Sequence, residues 1–266
     1  MGLTLLAFLG CAEDPCPEGE IRQEGVCEAY EAGDPLQAEV WRPEPGIGWQ
    51  WQLSGTLDTS VPVDVFDVDL VDGDLDALSD KTLICYFSAG SWEEYREDLG
   101  DIPDEALGKV LDGWPDERWW DIRHPSVREV LEARLDLAAE SGCDAVEPDN
   151  VDGYTNDSGL PLNATEQLEF NRWLADEAHR RGLSVGLKND VDQLAALQPW
   201  FDWALNEECA SFEECGLYSD WSLAVFHVEY VDNWADAEAR REEVCPTGFS
   251  TLIKTWDLGP EFLPCP

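Results

Sequence analysis

Positive charge is what this sequence has least of. Sixteen Lys and Arg stand against 58 Asp and Glu, a formal net charge of −42 over 266 residues. That balance excludes nucleic acid as a partner, because its phosphates would be repelled. Histidine is nearly absent, and His124, His179 and His227 fall on separate segments with no metal-binding cluster. The nine cysteines show no paired C-x-x-C spacing of the zinc type. Neither a metal nor an organic cofactor is expected. No apolar run is long enough to span a bilayer as a helix, and no repeat or low-complexity tract is evident.

What is present suits one large core. The chain is 44% hydrophobic with 13 Trp, and α/β barrels of about this length are often single domains. The acid excess favours a cationic partner by long-range attraction that salt weakens. It equally serves solubility or adaptation to salty surroundings.

The N-terminal run MGLTLLAFLGC ends in a small residue and Cys11, like a lipoprotein signal, although no basic residue precedes it. Residues 1–11 are therefore expected to be a signal segment, with Cys11 the lipidated residue and the mature protein exported to the cell surface, periplasm or medium. Eight cysteines then remain, and export permits disulfides. Sequence proximity suggests Cys16–Cys27, Cys209–Cys215 and Cys245–Cys265. Cys85 and Cys143 are left as a fourth pair or as buried free thiols. Residues 12–45 read as an acidic tether carrying the small loop CPEGEIRQEGVC, and residues 46–266 as the folded domain.

Eight short apolar or alternating runs follow: Trp49–Leu53, Val63–Leu70, Thr82–Ser88, Asp144–Asp149, Leu183–Asn189, Phe201–Glu207, Leu223–Tyr230 and Ser250–Trp256. Helical spacing separates several of them. Val127, Val130, Leu131, Leu135 and Ala138 predict one helix, opened by a Ser126/Glu129 capping box and closed at Gly142. Residues 165–181 predict a second, and residues 192–198 a short third. Strands alternating with helices imply a parallel α/β arrangement, and eight strands a (β/α)8 TIM barrel. Residues 54–62 are too few for an ordinary helical crossover, so the first strands must be irregular or one is misassigned. Residues 92–123 form a long insertion rich in Trp.

Active sites of such barrels lie at the carboxyl ends of the strands. Those ends carry Gln52, Asp67, Asp69, Tyr86, Ser88, Glu147, Asp149, Lys188, Asn189, Asn206, Glu207, Glu229, Tyr230 and Lys254. Alternation puts Ala145, Glu147 and Asp149 on one face. If Ala145 points inward, both carboxylates do. EPDNVDGY therefore reads either as a solvated turn or as part of a site in which Asp149 and Glu207 converge. A facing carboxylate pair suits glycoside cleavage. DVDLVDGDLD departs from the EF-hand spacing and reads as a turn. Asn156-Asp-Ser158 and Asn163-Ala-Thr165 match the glycosylation sequon, which carries little weight in a bacterial-type lipoprotein.

WQWQLSG, Asp67-Val-Asp69, ICYFSAGSWEEYR, DIRHPSVREVLEARLDLA, GCDAVEPDNVDGY, GLSVGLKN, FDWALNEEC and VFHVEY occur in that order. Together they resemble glycoside hydrolase family 114, the endo-α-1,4-polygalactosaminidases, from about Trp49 to Tyr230 and more weakly beyond. The resemblance implies a (β/α)8 barrel that hydrolyses α-1,4-linked galactosamine polymers. It puts the nucleophile at Asp149 and the acid/base at Glu207, and it implies a cationic amino-sugar polysaccharide as partner and no cofactor. Asp67, Asp69, Tyr86, Glu147, Lys188, Asn189, Glu229 and Tyr230 are then expected to bind substrate, with Glu147 alternatively a support for Asp149. Asp69 or Glu229 would meet the sugar ammonium. A monomer is expected. The competing reading is a non-catalytic polysaccharide-binding lipoprotein on the same barrel.

Overall fold

The computed structural model describes residues 15–23, 26–99, 102–245 and 248–266. Cys11 and the rest of the expected signal segment lie outside these residues. A hairpin of β1 (Glu20–Gln23) and β2 (Val26–Ala29) comes first. Next come β3 (Trp49–Gln52), β4 (Val65–Asp69) and β5 (Thr82–Ser88). The insertion forms its own antiparallel sheet of β6 (Ser91–Glu93), β7 (Leu107–Leu111) and β8 (Trp114–Trp120). Helix α1 (Pro125–Glu140), β9 (Ala145–Asp149), α2 (Ala164–Arg180) and β10 (Ser184–Lys188) follow. The chain ends with α3 (Leu194–Leu197), β11 (Trp203–Glu207), β12 (Val225–Tyr230), α4 (Ala237–Val244), β13 (Ser250–Lys254) and β14 (Leu263–Pro264).

All eight expected strands form, and they ladder in parallel in the order β13-β12-β11-β10-β9-β5-β4-β3. The short first crossover is real, since β3 and β4 pair in parallel with no helix between them. The curled sheet is a TIM barrel whose first and last strands share no ladder among the described residues. β14 instead pairs with β13 at Leu252 and Ile253. Side chains span the seam: Trp49 Nε1 donates to Ser250 O at 2.9 Å, and Lys254 Nζ donates to Gln50 Oε1 at 3.3 Å.

Alternation along each strand sorts two cores. Ala145 packs inward with Trp49, Trp51, Val65, Ile84 and Trp203, whereas Val146, Phe66 and Val185 pack outward with the helices. Ala145 therefore does point inward. Helix α1 starts differently from expectation. Pro125 occupies its first turn and the His124 ring accepts from Ser126 N at 3.2 Å, so His124 is the cap and the Ser126/Glu129 box does not form. Pro is favoured at that position because its missing N–H would be unpaired there anyway. Helix α2 carries a capping box at Asn163 and Glu166.

The described part of residues 12–45, expected as a tether, lies against the barrel. Gly19 N donates to Thr165 Oγ1 at 2.8 Å, Asn163 Nδ2 to Cys16 O at 3.0 Å, and Arg42 pairs with Asp202 at 2.8 Å. All four suggested disulfides form, including Cys85–Cys143 between β5 and the residues before β9.

Gly186 makes room for Trp203, one of three inward tryptophans. A Cβ there would lie 2.4 Å from the Trp203 ring, whose Nε1 donates to Ser184 Oγ at 3.1 Å. Trp203 is fully buried and cannot retreat. Gly186→Ala should cost about 1–3 kcal/mol by overpacking, read as a lower denaturant midpoint. Trp203→Phe in the same chain should recover part of it, and no recovery would reject the steric account.

Candidate active site

Three adjacent strands deliver the centre. Asp149 ends β9, Lys188 ends β10 and Glu207 ends β11. Lys188 Nζ lies 2.7 Å from Glu147 Oε1, 3.2 Å from Asp149 Oδ1 and 3.3 Å from Glu207 Oε2. It also lies 4.6 Å from the centre of the Trp51 ring, in cation–π contact. Burial works against its charge, but Asp149, Glu147 and Glu207 outweigh it and push its pKa well above the ordinary lysine value.

Each outer carboxylate has its own hydroxyl donor. Tyr86 OH donates to Asp149 Oδ2 at 3.0 Å, and Tyr230 OH donates to Glu207 Oε1 at 2.5 Å. Burial and the adjacent acids push both phenols well up, so they remain donors. Asn150 N donates to Asp149 Oδ1 at 2.8 Å, and Asn189 Nδ2 to Glu207 Oε2 at 3.0 Å. Asp149 and Glu207 therefore have fixed orientations while staying partly open to the cleft, with side chains 19% and 26% exposed.

Each of the three strands leaves its site residue through left-handed backbone. Asn150, Asn189 and Glu208 have φ of 61°, 47° and 60°. Asn visits this region with less penalty than most residues. The strand direction therefore changes immediately after each site residue.

The centre opens into a cleft of about 1210 Å³. Asp69, Tyr86, Asp149, Lys188, Asn189, Glu207 and Tyr230 line it as expected. Three expected substrate contacts do not. Asp67, Glu147 and Glu229 are fully buried and absent from the cleft wall. Glu147 lies beneath Lys188, the supporting place weighed for it. Asp69 reaches the wall but is committed to an ion pair with Arg96 and caps Val71 N and Asp72 N at 2.9 and 2.8 Å. That capping confirms a turn after β4.

Glu229 instead braces the loop after Glu207. It accepts from Ala210 N at 2.8 Å, Ser211 Oγ at 2.9 Å, His227 Nε2 at 2.9 Å and Arg240. The Cys209–Cys215 disulfide closes the same loop. Cys209, Cys215 and His227 cluster, but the two sulfurs are bonded to each other. Lys254, read as a strand-end site candidate, is buried at the seam and donates to Gly259 O and Glu261 O at 2.8 and 2.6 Å. Burial pushes it down to about 8.

Other wall residues escaped the strand-end reading. Trp256 is 49% exposed and stacks on Tyr230 at 4.2 Å, while Trp114, from the insertion, is 53% exposed. Trp256 lies two residues beyond Lys254, and that spacing was its available signal. Asp152 and Asp190 also face the cleft, pushed up to about 6 and about 8 by burial and neighbouring acids.

The profile of glycoside hydrolase family GH114 matches residues 31–265. The chain belongs to that family. The match takes in the C-terminal strands and part of the segment expected as tether. Among solved structures, Ega3 of Aspergillus fumigatus in complex with galactosamine is similar at 36% identity and TM-score 0.81, over 88% of this chain and 100% of that one. The glycoside hydrolase domain of PelA from Pseudomonas aeruginosa shares the fold at 14% identity and TM-score 0.63, over 83% of this chain and 98% of that one. The comparison with curated proteins gave no match. This GH114 member is a glycosidase, and its paired carboxylates stand at the mouth of the barrel where a glycosidic bond can enter.

The Glu229 brace predicts a pH response. Burial pushes its carboxyl up, but the His227 and Arg240 hydrogen bonds prevail and hold it at about 2, below the ordinary 4.5. A depressed carboxyl stabilises the fold above its unfolded pKa, and that stability fades as pH falls toward the folded value. Between about pH 4.5 and 2, the parent should lose thermal stability more steeply than Glu229→Gln. Parallel melting curves across that range would refute the brace.

Proposed function

We propose that this GH114 member is an exported, monomeric, endo-acting hydrolase of α-1,4-linked galactosamine-containing polysaccharide, working with retention. Asp149 is the nucleophile and Glu207 the acid/base. The observation that carries the reading is the convergence of both carboxylates on one Lys188 ammonium at the floor of an open cleft. Their nearest oxygens cannot be farther apart than the sum of two short contacts. That bound accommodates the roughly 5–5.5 Å spacing of retaining enzymes.

In this mechanism Asp149 Oδ attacks the anomeric carbon as Glu207 gives a proton to the departing glycosidic oxygen. A covalent glycosyl ester results. Glu207, now ionised, takes a proton from water, and the water oxygen attacks the same carbon and releases Asp149. Tyr86 and Lys188 hold the Asp149 carboxylate in attacking orientation. Tyr230 and Asn189 hold Glu207 across the cleft.

The substrate class follows from charge. The cations on the cleft wall are already engaged: Arg96 with Asp69, Lys109 with Asp157, and Lys188 with its three acids. Asp152, Asp192, Glu208 and Glu214 line the same wall and form no ion pair among the described residues. An ammonium-bearing sugar would be drawn in, and similarity to a protein solved with galactosamine supports the same choice. Asp69 and Glu229 are spent on arginines, so these wall acids take over the role expected of them. Four disulfides support export, with Cys11 the candidate lipid anchor. No described helix is long and apolar enough to cross a membrane.

The test is oligosaccharide release from partially deacetylated α-1,4-galactosamine polymer, followed by mass spectrometry. The parent should release short oligomers that keep the substrate's anomeric configuration in early NMR spectra, and Asp149→Asn and Glu207→Gln should release none. Binding without release would instead favour a polysaccharide-binding protein. The stacked, half-exposed Trp256 should grip a sugar face. Trp256→Ala should raise KM roughly 2- to 10-fold, as loss of about 0.5–1.5 kcal/mol of aromatic contact implies. An unchanged KM would remove Trp256 from the subsite.

A further inference from the structure

Three buried oxygens beneath the catalytic centre lack a donor. Both carboxylate oxygens of Asp67 and the Oε2 of Glu147 have no hydrogen-bond partner. Asp67 and Glu147 are both fully buried. Ionised, each would be acceptor-only, and neither could satisfy the other. Buried polar atoms are nearly always paired, and an exception calls for an explanation. The two carboxyls are close enough for each to shift the other's titration. A hydrogen bond between them, which would satisfy an oxygen on each, requires one shared proton.

The surroundings decide which residue carries it. Glu147 Oε1 accepts from Lys188 Nζ at 2.7 Å, so a cation stabilises charge on Glu147. Asp67 has no donor on either oxygen, and its ladder neighbours on β3 and β5 are Trp51 and Ile84. The charged groups facing it are Glu147, Lys188 and Asp149.

We infer that Asp67 is a neutral carboxylic acid in the working enzyme and a positioning residue for the catalytic pair, donating its proton to Glu147 Oε2. The directions of titration agree: burial first, then Glu147, push Asp67 well above the carboxylate range, while burial pushes Glu147 only to about 7 because Lys188 opposes it, so Asp67 holds the proton more firmly. The relay runs from Asp67 O–H to Glu147, from Glu147 to Lys188, and from Lys188 to Asp149 and Glu207. With Oε2 satisfied by Asp67, Glu147 remains an anion and keeps Lys188 at a fixed height under both catalytic carboxylates. Without it, Glu147 would take up a proton itself and Lys188 would lose its shortest contact. Asp67, read from sequence as a cleft residue, acts from below the cleft.

This inference rests on the proposed carboxylate pair for its kinetic consequence but not for its spectroscopic one. The infrared difference between the parent and Asp67→Asn at neutral pH should show loss of a protonated-carboxyl C=O band. Carboxylate bands in that difference would overturn the inference, whatever the enzyme hydrolyses. In kinetics on the polymer, Asp67→Asn keeps a donor to Glu147 and should retain most of kcat with the parent's pH profile. Asp67→Ala should lose 10-fold or more in kcat and shift the profile, because Glu147 then titrates beside Lys188. An Asn variant as damaged as the Ala variant would also overturn it. Should the Ala variant fail to fold, the infrared spectrum and the Asn variant decide alone.

Discussion

A single ammonium group inside the barrel holds the site together. Lys188 is 2% exposed and touches three carboxylates that would otherwise repel one another. Taking such charges out of water costs several kcal/mol per ion, and only close, well-bonded geometry offsets it. The arrangement of the inner wall follows from that requirement. Trp51 supplies a π-face to the same cation, and Tyr86 and Tyr230 occupy the outward oxygens so that Lys188 need not satisfy them. The network holds Asp149 and Glu207 in place while leaving both partly open to the cleft.

The backbone serves the same end with unusual conformations. Left-handed residues directly follow Asp149, Lys188 and Glu207. Two of them are Asn, whose side chains also reach back into the site: Asn150 to Ser88 Oγ and Asn189 to Glu207. Glu208, a residue poorly suited to that conformation, lies in the loop that Glu229, Arg240 and the Cys209–Cys215 bridge hold down. The left-handed residue at this strand end is thus accompanied by ion pairs and a covalent bond that hold its loop.

Much of this was legible in the sequence because a buried parallel strand announces itself as a short apolar run. Its last residues announce themselves by turning polar where the apolar pattern stops. That logic located all eight barrel strands, and alternation correctly put Glu147 and Asp149 on the inner face. Alternation gives the face but not the depth. Asp67 and Asp69 share a face, yet Asp67 lies one layer lower, level with Trp51 and Ile84, and is fully buried. Glu229 precedes Tyr230 and so faces the opposite side, where His227 and Arg240 wait. Two local signals went unread: His124 caps the helix from two residues before Ser126, where Pro125 marks the first turn, and Asp112-Gly113 between β7 and β8 is a hairpin turn.

The seam has a bearing on how this fold can change. A barrel laddered all the way round fixes its own shear, since sliding any strand breaks hydrogen bonds on both sides. Here the first and last strands meet through Trp49, Gln50 and Lys254, and the ladder is interrupted at the wall farthest, in strand order, from β9, β10 and β11. Slippage, insertion or loss at the chain ends can therefore be absorbed at the seam without moving the three strands that carry Asp149, Lys188 and Glu207. The molecule separates a part free to drift over evolutionary time from a part that must stay in register.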